Sequence, residues 1–207
     1  FPVTAIASIT HRVTGVAIFL ALPILLWMLD RSLASPESFA DLKELMMTSL
    51  LVKLVVWGIL SVLLYHLVAG IRHRGTESVG RSLGMVTSVT SLGRNGLYDW
   101  LIQRVSAVII GVYMIGMLGY LITAGELDYG SWKAFMGSIC MQIANTLLVI
   151  SVAAHTWVGL WGVTTDYLTS LTFGKAATGV RLIAQLAIAL ALVVYLLWGL
   201  VLIWGGA

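Results

Sequence analysis

Five stretches of this chain are each long and apolar enough to cross a lipid bilayer, and that feature decides which folds are open to it. A crossing helix needs roughly 20 mostly apolar residues at about 1.5 Å of rise each. The runs are Val13–Leu29, Met46–Ile71, Val105–Ala124, Ala134–Thr165 and Leu182–Gly205. Hydrocarbon offers no water to satisfy backbone amides, so each run must satisfy its own by coiling into a helix. The expected fold is therefore an all-α integral membrane bundle of about five transmembrane helices. Composition agrees: of the 207 residues, 10% are charged and 59% hydrophobic. A soluble domain carries about 25% charged residues, so here lipid must cover most of the surface.

Nucleic-acid binding is not expected, because the twelve Lys and Arg are scattered and the net charge is only +3. Those charges instead report orientation. Arg12, Arg72, Arg74, Arg81, Arg94, Arg104, Lys175 and Arg181 fall on one side of the membrane, with Glu77, Asp99 and Asp166. The other side receives Arg31, Lys43, Lys53 and Lys133, with Asp30, Glu37, Asp41, Glu44, Glu126 and Asp128. Basic residues concentrate on cytoplasmic faces, so the N-terminus is expected in the cytoplasm and the C-terminus in the periplasm. The sequence opens on Phe1 rather than Met, which suggests a trimmed start. No cleavable signal peptide is visible, since the first run leads into Asp30 without a small-residue cleavage site.

The single cysteine, Cys140, excludes an internal disulfide, and it excludes a thiolate zinc or iron–sulfur site built by one copy of the chain. The histidines carry the stronger signal. There are four of them, and two occupy matching places in a weak internal repeat. Arg12-Val13-Thr14-Gly15-Val16 enters the first helix, and Arg104-Val105-Ser106-Ala107-Val108 enters the third. His66-Leu67-Val68-Ala69-Gly70 and His155-Thr156-Trp157-Val158-Gly159 follow in the next helices. Between the halves, the Gly- and Ser-rich stretch 74–90 reads as a cytoplasmic linker. The expected organisation is thus a two-helix module over 1–73, the linker, and a three-helix module over 91–207.

An ionisable side chain inside a membrane is costly and is by default a functional candidate. Neutral imidazole is a good iron ligand, and two imidazoles on different helices can clamp a haem between them. Gly70 and Gly159 each lie four residues after a histidine, hence on the same helical face, where a flat macrocycle can approach the backbone. Arg12 and Arg104 are placed to neutralise propionates. Two readings compete with this one. The histidines could be plain interhelical hydrogen-bonding groups, and the arginines plain interfacial anchors. His11 and His73 sit near the interface and are candidate cofactor contacts, although solvent or headgroup contact is the ordinary role there and neither is expected to ligate iron. A transporter is a further alternative, but no acidic residue lies deep in a span, and Pro23 is the only interruption visible in the runs.

At these residues the chain resembles the membrane anchor of bacterial succinate dehydrogenase. The first module is similar to the larger cytochrome b anchor subunit through Phe1-Pro2-Val3-Thr4-Ala5-Ile6-Ala7-Ser8-Ile9-Thr10-His11-Arg12-Val13-Thr14-Gly15 and Tyr65-His66-Leu67-Val68-Ala69-Gly70-Ile71-Arg72-His73. The second is similar to the small hydrophobic anchor subunit through Ser91-Leu92-Gly93-Arg94-Asn95-Gly96, Gln103-Arg104-Val105 and Gly125-Glu126-Leu127. His155-Thr156-Trp157-Val158-Gly159 and Thr165-Asp166-Tyr167 extend that likeness. The resemblance implies haem b ligated by His66 and His155, and a ubiquinone site lined by Ser8, Arg12 and Tyr167 with Asp166 beside it. It also implies iron–sulfur and flavoprotein partner subunits and a bacterial inner membrane.

Two departures from the family stand out. The family has two chains of three helices, whereas here both halves share one chain and the larger subunit's third helix is missing after His73. The helix face left bare is expected to meet lipid or a neighbouring copy. A self-standing b-type cytochrome without catalytic partners is the competing reading of such a shortened fusion.

Overall fold

The computed structural model describes the backbone of residues 3–76 and 96–205 and the side chains of residues 6–71 and 96–205. Within these bounds it is helical, with short connections and no strand. Eight α-helices follow one another: α1 (Val3–Ala34), α2 (Pro36–Thr48), α3 (Leu50–Thr76), α4 (Gly96–Thr123), α5 (Tyr129–Gly137), α6 (Ile139–Tyr167), α7 (Ser170–Phe173) and α8 (Ala177–Trp204). A single 3₁₀ turn, Gly174–Ala176, links the last two. The helices α1, α3, α4, α6 and α8 are long and apolar enough to cross a membrane. The all-α bundle of five spans is therefore what forms.

The boundaries differ from expectation in three places. The second apolar run does not begin one helix at Met46. The chain breaks at Ser49, and Met46–Thr48 end a separate helix. That helix, α2, starts with capping chemistry: the Ser35 hydroxyl accepts from the Ser38 amide at 3.1 Å, and Pro36 occupies the first turn. The long fourth run likewise does not extend as one tilted helix. Ser138 ends α5, and its hydroxyl accepts from the Met141 amide to begin α6. Apolar content alone conceals such breaks, because both sides of each serine are hydrophobic. Finally, α3 continues to Thr76, into the stretch read as linker. Residues 77–90 of that stretch lie outside the described residues, as do Phe1, Pro2, Ser91–Asn95 and the side chains of Arg72, His73 and Arg74.

Packing divides the spans unequally. The helices α4, α6 and α8 form one contiguous layer, with α6 in the middle. Helix α1 lies against both α6 and α8 and carries α3 on its other side. At one end α2 and α5 fold across α1, and the tight turn into α5 is made at Gly125, whose φ of +66° falls in the left-handed region that glycine tolerates. Helix α3 exposes Leu51, Leu54, Trp57, Leu60, Leu64 and Val68. An apolar face of that extent is suited to lipid or another apolar surface, not to water.

Candidate functional site

The opposite end of the bundle brings together histidines from different spans. His66 on α3 and His155 on α6 approach with ring centres 6.4 Å apart and planes at 78°. A metal held by two imidazole nitrogens at about 2 Å each would set the ring centres roughly 6 Å apart. The observed separation thus suits a shared metal, although the two helices are not close neighbours along their length. Helix α1 brings them together, because it packs on both.

His11 joins this pair in a way the sequence did not suggest. Its ring stacks on His66 with centres 4.0 Å apart and planes within 14°. The stack depends on two glycines set reciprocally, each four residues after the histidine of its own helix. A Cβ on Gly15 would come within 3.2 Å of His66 Cε1, and one on Gly70 within 3.3 Å of His11 Nε2. The space beside Gly70 is therefore filled by the His11 imidazole. Gly159 is more open; a Cβ there would meet Gln103 Nε2 at an ordinary 3.8 Å.

Each facing histidine has its Nδ1 engaged. His66 Nδ1 lies 3.1 Å from the Thr14 hydroxyl and 3.1 Å from the backbone carbonyl of His11. His155 Nδ1 lies 3.3 Å from the Ser106 hydroxyl, and its Nε2 lies 3.3 Å from the side-chain amide nitrogen of Gln103. The Gln103 carbonyl oxygen is buried without a partner, as is the indole nitrogen of Trp161 one helical stretch beyond His155. Buried polar atoms are nearly always paired, so this end of the bundle retains hydrogen-bonding capacity that the protein itself does not use.

Nearer the surface, the Arg12 guanidinium pairs with the Asp166 carboxylate and lies 5.8 Å from the centre of the Tyr167 ring. Both charged side chains are about one-third exposed, at 36% and 37%. Ser8 sits one turn before Arg12 on α1, half-buried. A cation, a carboxylate and a phenol on two helices thus converge at the polar edge. Arg104 lies apart from that cluster, 4.8 Å over the ring of Trp100 on its own helix.

Four site residues escaped sequence reasoning as such: Thr14, Gly15, Gln103 and Ser106. Thr14 and Ser106 carried a signal, since each follows a matched arginine by two positions. The signal names the residues but not the atoms they meet, which depend on how α1 crosses α3 and α4 crosses α6.

The chain is similar to several known proteins. Residues 1–94 match the family described as succinate dehydrogenase/fumarate reductase transmembrane subunit. The succinate dehydrogenase cytochrome b556 subunit of Coxiella burnetii is 39% identical over 115 residues, covering 55% of this chain and 87% of that protein. The succinate dehydrogenase hydrophobic membrane anchor subunit of the same organism is 28% identical over 116 residues, covering 56% of this chain and 95% of that protein. The cytochrome b556 subunit of Paracoccus denitrificans is 36% identical over 72 residues, 35% of this chain and 55% of that protein. Two separately named subunits of one organism are each matched over more than half of this chain.

Proposed function

The chain belongs to the family of succinate dehydrogenase membrane-anchor and cytochrome b subunits, and from that premise we propose that it holds one haem b between His66 and His155 beside a ubiquinone site at Ser8, Arg12, Asp166 and Tyr167. The observation that carries this reading is the 6.4 Å approach of two half-buried imidazoles from different membrane helices. The donor set fits the group. Two neutral nitrogens suit iron in an apolar setting, and the Gln103 amide on His155 Nε2 is a neutral group that iron can replace. Haem bound there supplies one-electron oxidation and reduction.

The chain's own residues do the rest. Arg12 provides positive charge at the polar edge, suited to haem propionates and to a quinone oxygen that gains electron density on reduction. Tyr167 offers a hydroxyl to a quinone carbonyl, and Asp166 holds Arg12 in place. Reduction to quinol consumes two electrons and two protons, and a site at the membrane edge has water within reach for the protons. The electrons would come from an iron–sulfur partner, itself fed by a flavoprotein, on the cytoplasmic side of a bacterial inner membrane. Arg104 adds a second positive charge suited to a haem propionate, and the module boundary is assigned to the stretch 74–90. A self-standing b-type cytochrome is the second reading, favoured by the bare apolar face of α3; stable copurification with flavoprotein and iron–sulfur subunits would count against it.

The test is the oxidised and dithionite-reduced absorption spectrum of the purified protein beside His66→Ala and His155→Ala. The parent is expected to give a low-spin b-type spectrum that each variant loses or converts to high-spin. Folded parent protein that stays colourless when haem is supplied would sink the proposal.

A further inference from the structure

The two halves of the site repeat a contact that fixes the histidines' protonation. In the first half, Arg12 is followed two positions later by Thr14, whose hydroxyl meets His66 Nδ1 at 3.1 Å. In the second, Arg104 is followed two positions later by Ser106, whose hydroxyl meets His155 Nδ1 at 3.3 Å. A hydroxyl has one proton to give. Thr14 directs its proton to backbone carbonyls of its own helix, at 3.0 Å to Thr10 and 2.8 Å to His11. Ser106 directs its proton to the Ile102 carbonyl at 2.6 Å. Each oxygen therefore meets its histidine as an acceptor, and each Nδ1 carries the hydrogen.

Independent contacts on both sides agree. His66 Nδ1 also faces the His11 carbonyl at 3.1 Å, and a carbonyl can only accept. On the other ring, the Gln103 amide nitrogen donates towards His155 Nε2, which requires a lone pair there. Turning that amide over would need a proton on Nε2 and would leave a bare Nδ1 against an oxygen whose proton is already given to Ile102. Both rings are thus held in one tautomer, with Nδ1 protonated and Nε2 bearing the lone pair.

We propose that Thr14 and Ser106 are matched positioning residues, one in each half of the chain, that hold His66 and His155 with Nε2 presented to iron and make each ring a more electron-rich ligand. This rests on the haem reading above and goes beyond it by assigning what orients the ligands and tunes them. A ligating imidazole that donates its other N–H to an oxygen becomes more basic and keeps its orientation. A more basic ligand favours the ferric state, so the hydroxyls lower the haem's reduction potential.

The experiment is a redox titration of the haem-loaded protein, with optical and electron paramagnetic resonance spectra, for the parent, Thr14→Val, Thr14→Ser, Ser106→Ala and the Thr14→Val/Ser106→Ala pair. The pair is expected to retain a haem spectrum while its midpoint potential rises and its low-spin ferric signal shifts. Thr14→Ser should stay at the parent's value, because it keeps the oxygen. Ser106→Ala removes a single atom from a helix that needs no hydroxyl to form, so it remains readable if the double variant does not fold. An unchanged midpoint and ferric signal in both Ser106→Ala and Thr14→Val would overturn the assignment while leaving the haem reading intact. A parent protein that binds no haem would overturn that reading and this inference with it.

Discussion

The two ends of this bundle use polar side chains in opposite ways. At the end crossed by α2 and α5, most polar groups are spent on closing the fold, the buried Ser38 hydroxyl on α2 being an exception. Trp132 donates to the Ser32 hydroxyl, the Tyr129 hydroxyl to the Leu33 carbonyl, Tyr113 to Asn145, and Gln142 to the Ile203 carbonyl. Tyr120 and Phe135 stack with centres 3.6 Å apart. Helices α1, α4, α5, α6 and α8 are all stitched there. At the histidine end, polar groups converge with capacity left over: the Gln103 side-chain carbonyl and the Trp161 indole nitrogen. Satisfied buried networks rigidify a fold, whereas partly satisfied ones are held at a cost. The closed end supplies the rigidity that lets the other end hold groups ready for a ligand.

The largest effect that can break this comparison comes from Trp132. It is buried at 8% exposure and touches Tyr120, Phe135 and Ser32. Trp132→Ala should cost about 3–5 kcal/mol of stability, in line with truncating a buried tryptophan. Thermal denaturation in detergent would measure it. The fraction that remains folded should keep the parent's haem spectrum. A perturbed spectrum in folded Trp132→Ala protein would show that the two ends are one unit.

That division also explains what the sequence made legible. His66, His155, Arg12, Asp166 and Tyr167 stood out because charged and imidazole groups are scarce and costly in apolar helices. Arg12, Asp166 and Tyr167 meet at one edge. The closed end was far less visible. Ser35-Pro36 is a readable helix start, yet Ser49 and Ser138 interrupt apolar runs without changing their hydropathy. Stacking of His11 on His66 was beyond reach for a different reason. It needs Gly15 and Gly70 to face each other's histidine across two antiparallel helices, and no single-helix pattern encodes that crossing.

A smaller effect sharpens the comparison at the histidine end. The Arg12–Asp166 pair is partly exposed, and exposed ion pairs contribute about 0–1 kcal/mol. Arg12→Leu and Asp166→Asn should therefore leave thermal stability within about 1 kcal/mol of the parent. Ubiquinone affinity, measured by titration of the haem-loaded complex with its catalytic subunits, should fall at least tenfold in Arg12→Leu. Stability that drops as steeply as in Trp132→Ala would move this pair into the structural half of the molecule.

The smallest effect is one of pH, and it belongs to the closed end. Asp128 caps α5 by accepting from the Ser131 amide at 2.9 Å, and that bond holds its carboxyl below the usual range. Glu37, in the first turn of α2, is likewise lowered, by its own backbone amide and then by Ser35. A carboxyl whose pKa is depressed by folding contributes stability at neutral pH that fades as pH falls past the ordinary value of 3.8 for Asp128 and 4.5 for Glu37. Both groups are fully exposed, so the effect is modest and confined to their own helix starts. Hydrogen exchange at the first turns of α2 and α5 should quicken as pH is lowered through 4, once corrected for intrinsic exchange. Asp128→Asn should remove most of that pH dependence in α5, because a neutral amide oxygen still caps but no longer titrates. Equal quickening in α5 with and without the aspartate would place the acid-sensitive group elsewhere, and would weaken the view that this end is held by local caps as well as by its buried aromatic contacts.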